Sequence, residues 1–232
     1  MDIEILENID GAKRARGLAV IIDVFRAFSL EAYLFGRGAA KIYAVGSEAM
    51  ARELKAKNPD SVLIGERGGV ILPGFDFGNS PSQTEGANVL GKTIIHTTSA
   101  GTQGLVASSG AEQVVTGALV NASAVARFIR SASPSHVSLV AMGLNGRESS
   151  PEDVLCAKVI KSDLEGTRLD FDKELEVVRN HREGKKFFNP DTQSVFPQKD
   201  FFMCTKLNVF NFVLTAKREN EEVFLMSRVD SV

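Results

Sequence analysis

Short apolar runs rich in β-branched residues alternate along the chain with stretches whose apolar residues recur at helical spacing, and this alternation limits the possible folds most strongly. The predicted strands cover residues 17–23, 41–45, 61–65, 93–97, 113–119 and 137–142. The predicted helices cover residues 26–35, 48–57, 101–108, 122–131 and 151–164. Strands that alternate with helices form largely parallel sheets covered on both faces. The sequence therefore predicts an α/β fold, a layered α/β/α sandwich with a largely parallel or mixed sheet.

The part of the chain from about residue 167 is less regular. Residues 172–186 are charged and predicted to be helical, and we interpret their basic end, 179–186, as a solvated helix face rather than a ligand patch. Residues 187–202 contain two prolines and predict an irregular excursion, residues 204–215 are apolar, and residues 222–229 predict a final strand. Nothing here demands a second domain, so we expect one domain over residues 1–232.

Charge and composition exclude several classes of protein. The net charge of −2 and the pI near 6.0 give no basic face for nucleic acid. No apolar run approaches the roughly 20 residues of a membrane span, and the acidic N-terminus does not resemble a signal peptide. Cys156 and Cys204 form no Cys-x-x-Cys pair, so we expect buried thiols of a cytoplasmic protein.

One motif match does not fit its context. Residues 86–93, GANVLGKT, match the phosphate-loop pattern G-x-x-x-x-G-K-[ST]. A phosphate loop follows a strand and begins a helix, whereas this match precedes the predicted strand 93–97, so we do not expect a nucleotide site. The three histidines, His96, His136 and His181, lack metal-ligand spacing and are predicted to be structural, which argues against zinc.

Polar clusters follow several predicted strands, at the edge where open α/β sheets bind ligands. Asp23 ends the first apolar run, and Arg26 lies one helical turn beyond it. Glu66 and Arg67 follow strand 61–65 directly, with two glycines after them. A helix N-cap at Asp23 and a surface ion pair at Glu66 are the structural alternatives.

A long loop, residues 73–81, follows with the sequence PGFDFGNSP. Such loops in compact domains are often functional. Asp76 and Asn79 offer oxygen ligands, and Ser80 adds a hydroxyl group. We predict that Asp23, Glu66 and Asp76 converge in one pocket as catalytic carboxylates and ligands of Mg²⁺, the metal that such oxygen donors favour.

A fourth cluster, residues 97–104, joins strand 93–97 to a predicted helix and contains four hydroxyl side chains in six residues. Free backbone N–H groups and hydroxyls at a helix start can converge on an anion, which predicts that Thr98, Ser99, Gly101 and Thr102 bind substrate. Ordinary N-capping by Ser99 or Thr102 is the alternative. Arg26 and Arg67 would complete the site, because guanidinium groups pair bidentately with phosphate or sulfonate.

These clusters predict a small anionic ligand, such as a phosphorylated acid, bound together with Mg²⁺. Carboxylates beside a phosphate repel it unless a metal ion intervenes, which favours a metal enzyme over a phospholigand-binding regulatory protein. The residue types alone leave hydrolysis, isomerisation or lyase chemistry, and simple binding open. Release of inorganic phosphate separates the first from the others.

Taken together and in order, the clusters resemble the 2-phosphosulfolactate phosphatase family. The matching stretches span nearly the whole chain: VIIDVFRAFS (20–29), IGERGGVILPGFDFGNSP (64–81), TTSAGT (97–102), GALVNASAVA (117–126), the acidic pair Glu152-Asp153, and FMCTKLNVFNFV (202–213). The resemblance implies an Mg²⁺-dependent phosphatase that converts 2-phospho-3-sulfolactate to 3-sulfolactate and phosphate in coenzyme M biosynthesis. It also implies substrate contacts from Asn79 and Ser80 and assembly as a homo-oligomer.

Overall fold

A mixed sheet of ten strands forms the centre of the protein in the computed structural model, which describes residues 1–230. The strands are β1 Asp2–Glu7, β2 Leu18–Ile22, β3 Lys41–Val45, β4 Val62–Arg67, β5 Val70–Ile71, β6 Thr93–Thr97, β7 Gln113–Gly117, β8 His136–Ala141, β9 Phe212–Arg218 and β10 Val223–Asp230. The helices are α1 Asn8–Arg14, α2 Ala27–Gly36, α3 Glu48–Lys57, α4 Gly101–Ala107, α5 Ala122–Ala132, α6 Pro151–Glu165, α7 Phe171–Asn180, α8 Arg182–Lys185 and α9 Gln198–Thr205.

Helices cover both faces of the sheet, which confirms the predicted layered α/β/α fold. Strand β2 is buried at all five positions. Its Ala19 and Ile21 pack in one apolar cluster with residues of α2 and α4, while its Leu18, Val20 and Ile22 pack in a second cluster with α5 and α6. A third cluster lies between α3 and the strands β3, β4 and β6. A strand enclosed on both sides needs a continuous apolar run, and that run made β2 predictable.

The strand order is β1-β8-β2-β7-β9-β10-β3-β6-β4-β5. The first four strands are mutually parallel, and so are β3, β6 and β4. The hairpin β9–β10 lies between these two groups and pairs antiparallel with β7 on one side and with β3 on the other. The two parallel groups therefore run in opposite chain directions.

The sheet curls so that the carboxyl ends of the two groups nevertheless meet. Six strand pairs separate β2 from β4, and a twist of roughly 20–25° at each pair rotates one group by more than 100° relative to the other. Helix α4, which follows β6, consequently packs against β2: an added Cβ at Gly104 would lie 2.7 Å from Ile21 Cγ2. The curl creates the one place where residues after β2 and after β4 can meet.

Most of the predicted elements are confirmed, and the differences concern short or charged segments. Helix α3 and strands β3 and β6 have the predicted bounds. The predicted charged helix is divided at His181 into α7 and α8, and the excursion after it contains two 3₁₀ turns and α9. Strand β1, helix α1 and strand β5 were not predicted. Among residues 1–230, no helix combines the length and apolar character required to cross a membrane.

Candidate active site

A cavity of about 250 Å³ opens where the carboxyl ends of the two strand groups face each other. Asp23 reaches it from the end of β2, and Glu66 from β4. The turn after β8 contributes Gly143 and Asn145, and the first turn of α6 contributes its acidic residues. Five carboxylates thus surround one small space: Asp23 and Glu66 come from the first half of the chain, and Glu152, Asp153 and Glu183 come from the second.

Asp23 lies at the start of α2 and is almost fully buried. Its Oδ1 accepts a hydrogen bond of 3.1 Å from the backbone N–H of Ala27, so it also caps that helix, as the structural alternative proposed. Burial is the main cause that raises the pKa of Asp23 to about 8, and the nearby carboxylates Asp153 and Glu66 contribute to the same rise. Burial and repulsion between carboxylates therefore favour the protonated form of Asp23.

Glu66 occupies the position that the sequence analysis assigned to a substrate anion. Its Oε1 accepts a hydrogen bond of 2.7 Å from the Ser99 N–H, and its Oε2 accepts from the Ser99 hydroxyl at 3.1 Å and from the Gly69 N–H at 2.6 Å. Gly69 has a φ of +84°, which glycine adopts without strain and which the β4–β5 turn requires. The hydroxyl-rich segment 97–104, called the hydroxyl loop below, therefore closes around a carboxylate of the protein itself.

The acidic pair Glu152-Asp153 in the first turn of α6 belongs to the stretches that resemble the family, but it was not predicted as part of the site. Asp153 accepts hydrogen bonds from the Val24 N–H at 2.7 Å and from the Gly143 N–H at 2.8 Å, so it fixes the chain after β2 and after β8. Glu152 is buried, and its Oε2 has no hydrogen-bond partner among residues 1–230. Burial raises the pKa of both groups. Acidic residues in the first turn of a predicted helix were the signal that could have found them.

Two cations line the same cavity. Arg26 is buried; its guanidinium donates to Asp200 Oδ2 at 2.9 Å, to the Val195 carbonyl at 2.9 Å and to the Gly69 carbonyl at 3.3 Å. Lys186 is ion-paired with Glu183 at 2.5 Å. Lys186 belongs to the basic segment 179–186, and the interpretation of that segment as only a solvated helix face is wrong for this residue.

Several predicted site residues lie elsewhere. Asp76 is half exposed, accepts a hydrogen bond from the Leu63 N–H at 2.8 Å and lies 3.8 Å from Lys55 Nζ, so the predicted convergence of three carboxylates is wrong for Asp76. The reason is that the loop after β5 turns back along β4: Phe77 forms a bridge with Ile64, which places Asp76 near the start of that strand.

The remaining predicted residues surround the cavity in supporting positions. Arg67 donates to the Glu66 carbonyl and to Thr97 Oγ1, and it lines a neighbouring surface groove. The Thr98 N–H donates to the Thr102 hydroxyl, and the Thr102 N–H donates to the Thr98 hydroxyl. These reciprocal bonds cap the start of α4 and do not form an open anion-binding site. Ser80 accepts from the Gln83 N–H within a turn.

Gly101 and Asn79 remain close to the cavity. A Cβ on Gly101 would lie 3.0 Å from Asp23 Oδ2, so this glycine allows α4 to approach the carboxylate. Asn79 is buried and lines the cavity. The predicted cluster thus divides into residues that face the cavity, among them Asp23, Arg26 and Glu66, and residues that shape the loops around it.

The chain matches the family model for 2-phosphosulpholactate phosphatase over residues 3–219. The chain belongs to this family. A Bacillus subtilis protein named "probable 2-phosphosulfolactate phosphatase" is 31% identical over 95% of this chain and 96% of its own length. A Clostridium perfringens protein of the same name is 32% identical over 91% and 90%, respectively. A Deinococcus radiodurans protein of the same name is 39% identical over 62% of this chain and 60% of its own length. The 2-phosphosulfolactate phosphatase family is one of phosphoric monoester hydrolases, and the predicted enzyme class is confirmed.

The donor set of the cavity agrees with a hard cation such as Mg²⁺. The cavity is lined by carboxylates, and one buried oxygen, Glu152 Oε2, lacks a partner. Among residues 1–230, however, no three Asp, Glu, His or Cys side chains already stand together in a ligating arrangement. Mg²⁺ is usually held by one or two carboxylates, several waters and substrate phosphate oxygens, and such a site needs no group of three.

Proposed function

We propose that this protein is an Mg²⁺-dependent phosphatase that hydrolyses 2-phospho-3-sulfolactate to 3-sulfolactate and inorganic phosphate. The observation that carries the proposal is the placement of five buried carboxylates and two cations around one cavity in a chain of this family. The cavity of about 250 Å³ suits a small acid. The reaction breaks the bond between phosphorus and the ester oxygen, and water supplies the oxygen that completes the phosphate.

Asp23 and Glu152 are the residues that would hold Mg²⁺. Glu152 offers an oxygen without a partner, and Asp23 stands at the end of β2 with its pKa raised by burial and by its acidic neighbours. The bound ion would neutralise charge on the phosphoryl oxygens. Glu66 and Asp153 then act mainly on the backbone, because each already accepts hydrogen bonds on both of its oxygens.

Arg26 and Lys186 would attract the anionic groups of the substrate. Arg26 is held rigidly by Asp200 and two carbonyl groups, so its position costs no rearrangement when the substrate binds. Lys186 lies over the Phe196 ring, 4.5 Å from the ring centroid, and can release Glu183 to bind an incoming anion. The substrate carries several negative charges, which matches a cavity with more than one cation.

The decisive experiment measures inorganic phosphate released from a panel of small phosphorylated acids, with Mg²⁺ and with a chelator. We expect stoichiometric, Mg²⁺-dependent release that is fastest with 2-phospho-3-sulfolactate. Conversion of a substrate without phosphate release would favour an isomerase or lyase. Tight binding without any conversion would favour a regulatory protein.

Two further expectations rest on the family and on the thiols. We propose a cytoplasmic location, since both Cys156 and Cys204 are buried free thiols, as in proteins of reducing compartments. We also propose that the chain forms a homo-oligomer, as the family resemblance implies. Light scattering coupled to size-exclusion chromatography tests the second point, and a monomer at micromolar concentration would contradict it.

A further inference from the structure

A buried chain of three polar side chains leads from the core to the cavity. Glu31 of α2 and His96 of β6 are both fully buried. Glu31 Oε1 lies 2.8 Å from His96 Nδ1, and His96 Nε2 lies 3.1 Å from Asn79 Oδ1. Asn79 is the only one of the three that lines the cavity. The pair Glu31–His96 therefore touches the site through the amide of Asn79.

The number of protons on the Glu31–His96 pair fixes which atom of His96 carries hydrogen. A net charge on this pair, fully buried among apolar residues, would be costly, so the pair is neutral overall. Two neutral forms have hydrogen on Nε2: a carboxylate beside an imidazolium, and a carboxylic acid that donates to Nδ1 of a neutral ring. In both forms His96 Nε2 is a donor.

The remaining neutral form is excluded by the surroundings of Glu31. It would place the carboxyl hydrogen on Glu31 Oε2, with Nδ1–H of the ring facing Oε1. Glu31 Oε2 is buried and has no hydrogen-bond partner among the described residues, so that hydroxyl group would have no acceptor. A buried donor left without an acceptor is costlier than a buried carboxyl oxygen left without a donor.

The orientation of the Asn79 amide follows. An N–H group at His96 Nε2 requires the carbonyl oxygen of Asn79, and the NH₂ group of the same amide is then turned away from the histidine. We propose that Glu31 and His96 are positioning residues that make Asn79 present its NH₂ group to the cavity, as a donor to an oxygen of the anionic substrate. Asn79 thereby binds the anion and does not offer its oxygen to the metal ion. This assignment deepens the proposed function of the same cavity and rests on it for the identity of the anion.

The first test reads the histidine directly and needs no activity. The protein has three histidines, so ¹⁵N-histidine labelling gives a simple spectrum, and His96→Gln assigns the His96 signals. We expect ¹⁵N shifts that show hydrogen on Nε2, in either the imidazolium or the neutral Nε2–H form. An unprotonated Nε2 would overturn the proposal, whether or not the protein proves to be a phosphatase.

The second test changes one hydrogen-bonding group at a time. Asn79→Asp keeps an acceptor for His96 and removes the NH₂ group, so we expect a folded protein with a KM at least about tenfold higher, the loss of one hydrogen bond to a charged group. Asn88→Asp, in an exposed loop, adds the same charge away from the cavity and should leave KM unchanged. A wild-type KM for Asn79→Asp would overturn the role of the NH₂ group.

The third test separates positioning from packing. Gln at position 96 can place an amide N–H near the position of Nε2, whereas Leu cannot. We expect His96→Leu to raise KM about tenfold or more, with a smaller change in kcat, and His96→Gln to restore KM to within a few fold. Equal kinetics for the two variants would mean that His96 only fills space. If His96→Leu does not fold, the ¹⁵N shifts of His96 and the KM of Asn79→Asp still test the proposal.

Discussion

Glu66 joins the turn after β4 to the segment after β6, because it accepts hydrogen bonds from both Gly69 and Ser99. It was predicted as a metal-binding and catalytic carboxylate, and it is found at the centre of three hydrogen bonds that close the hydroxyl loop. No local pattern marks this, because a strand-end glutamate and a downstream serine carry no sign that they will meet. Asp23 and Arg26, in contrast, were placed at the cavity correctly, since they follow directly on a strand that the apolar run defines.

Replacing Glu66 by Gln tests this role. The amide NH₂ group of Gln would face at least one backbone N–H, so we expect a loss of about 1–3 kcal/mol in the free energy of unfolding, the cost of a buried donor without an acceptor. Activity should fall as well, because the Ser99 loop loses its anchor. Urea titration and phosphate release measure the two effects.

Asp76→Asn is the matched control for Glu66→Gln. It is the same change of carboxylate to amide at a half-exposed position outside the cavity. Both stability and activity should stay near the wild-type values. A large loss of activity in Asp76→Asn alone would restore the original prediction of three convergent carboxylates.

At the scale of whole elements, the sequence was informative where strands are enclosed and helices are capped. Helix α3 has the predicted bounds, and Ser47 caps its start by accepting from the Met50 N–H. Strand β1 escaped prediction because its one neighbouring strand within residues 1–230 is β8, so three of its six residues are exposed and no continuous apolar run results. Helix α8 has only four residues and depends on its contacts, not on periodicity.

Strand β6 allows a direct comparison of its two ends. We expect Gly101→Ala, beyond the carboxyl end, to lower kcat strongly, since the new Cβ would lie 3.0 Å from both Asp23 Oδ2 and Ala27 Cβ. Lys92→Ala, before the amino end, should leave kinetics unchanged because Lys92 bonds there through its backbone: its carbonyl accepts from the Ala40 N–H, and its N–H donates to the Val89 carbonyl. An inactive Lys92→Ala with an active Gly101→Ala would revive the phosphate-loop interpretation of residues 86–93.

The basic end of the predicted charged helix, residues 179–186, was interpreted as a solvated face, yet it supplies Lys186 to the cavity. We expect Lys186→Met to raise KM about tenfold or more, the loss of one charge-assisted hydrogen bond. Lys185→Met is the matched control, because Lys185 is exposed and lines no part of the cavity. Steady-state kinetics compares the two, and equal KM values would remove Lys186 from the substrate site.

For the molecule as a whole, the buried carboxylates link stability to pH. The pKa of Asp23 is raised from 3.8 to about 8, so the native state holds more protons than the unfolded state between these values. The stability contributed by Asp23 is therefore greatest below about pH 4 and is lost as the pH rises toward 8, by at most about 1.4 kcal/mol for each pH unit. Asn at this position cannot titrate.

The measurement is urea unfolding of metal-free wild type and Asp23→Asn from pH 5 to pH 8. The free energy of unfolding of wild type, minus that of the variant, should decrease as the pH rises. Comparison between the two proteins removes the contribution of all other titrating groups. A difference that stays constant over this range would show that Asp23 is ionised throughout and that its pKa is not raised.

The central position of the hairpin β9–β10 has a consequence for the order in which the protein can form during translation. The ribosome makes both parallel strand groups before this hairpin, and within residues 1–230 the hairpin alone joins them into one sheet. A nascent chain can thus pair β2 with β7 or β3 with β6 before the hairpin has been made. The two walls of the cavity, which carry Asp23 and Glu66, are joined through the sheet only once the hairpin has emerged from the ribosome, so we expect ligand binding by the emerging polypeptide to be weak before that point.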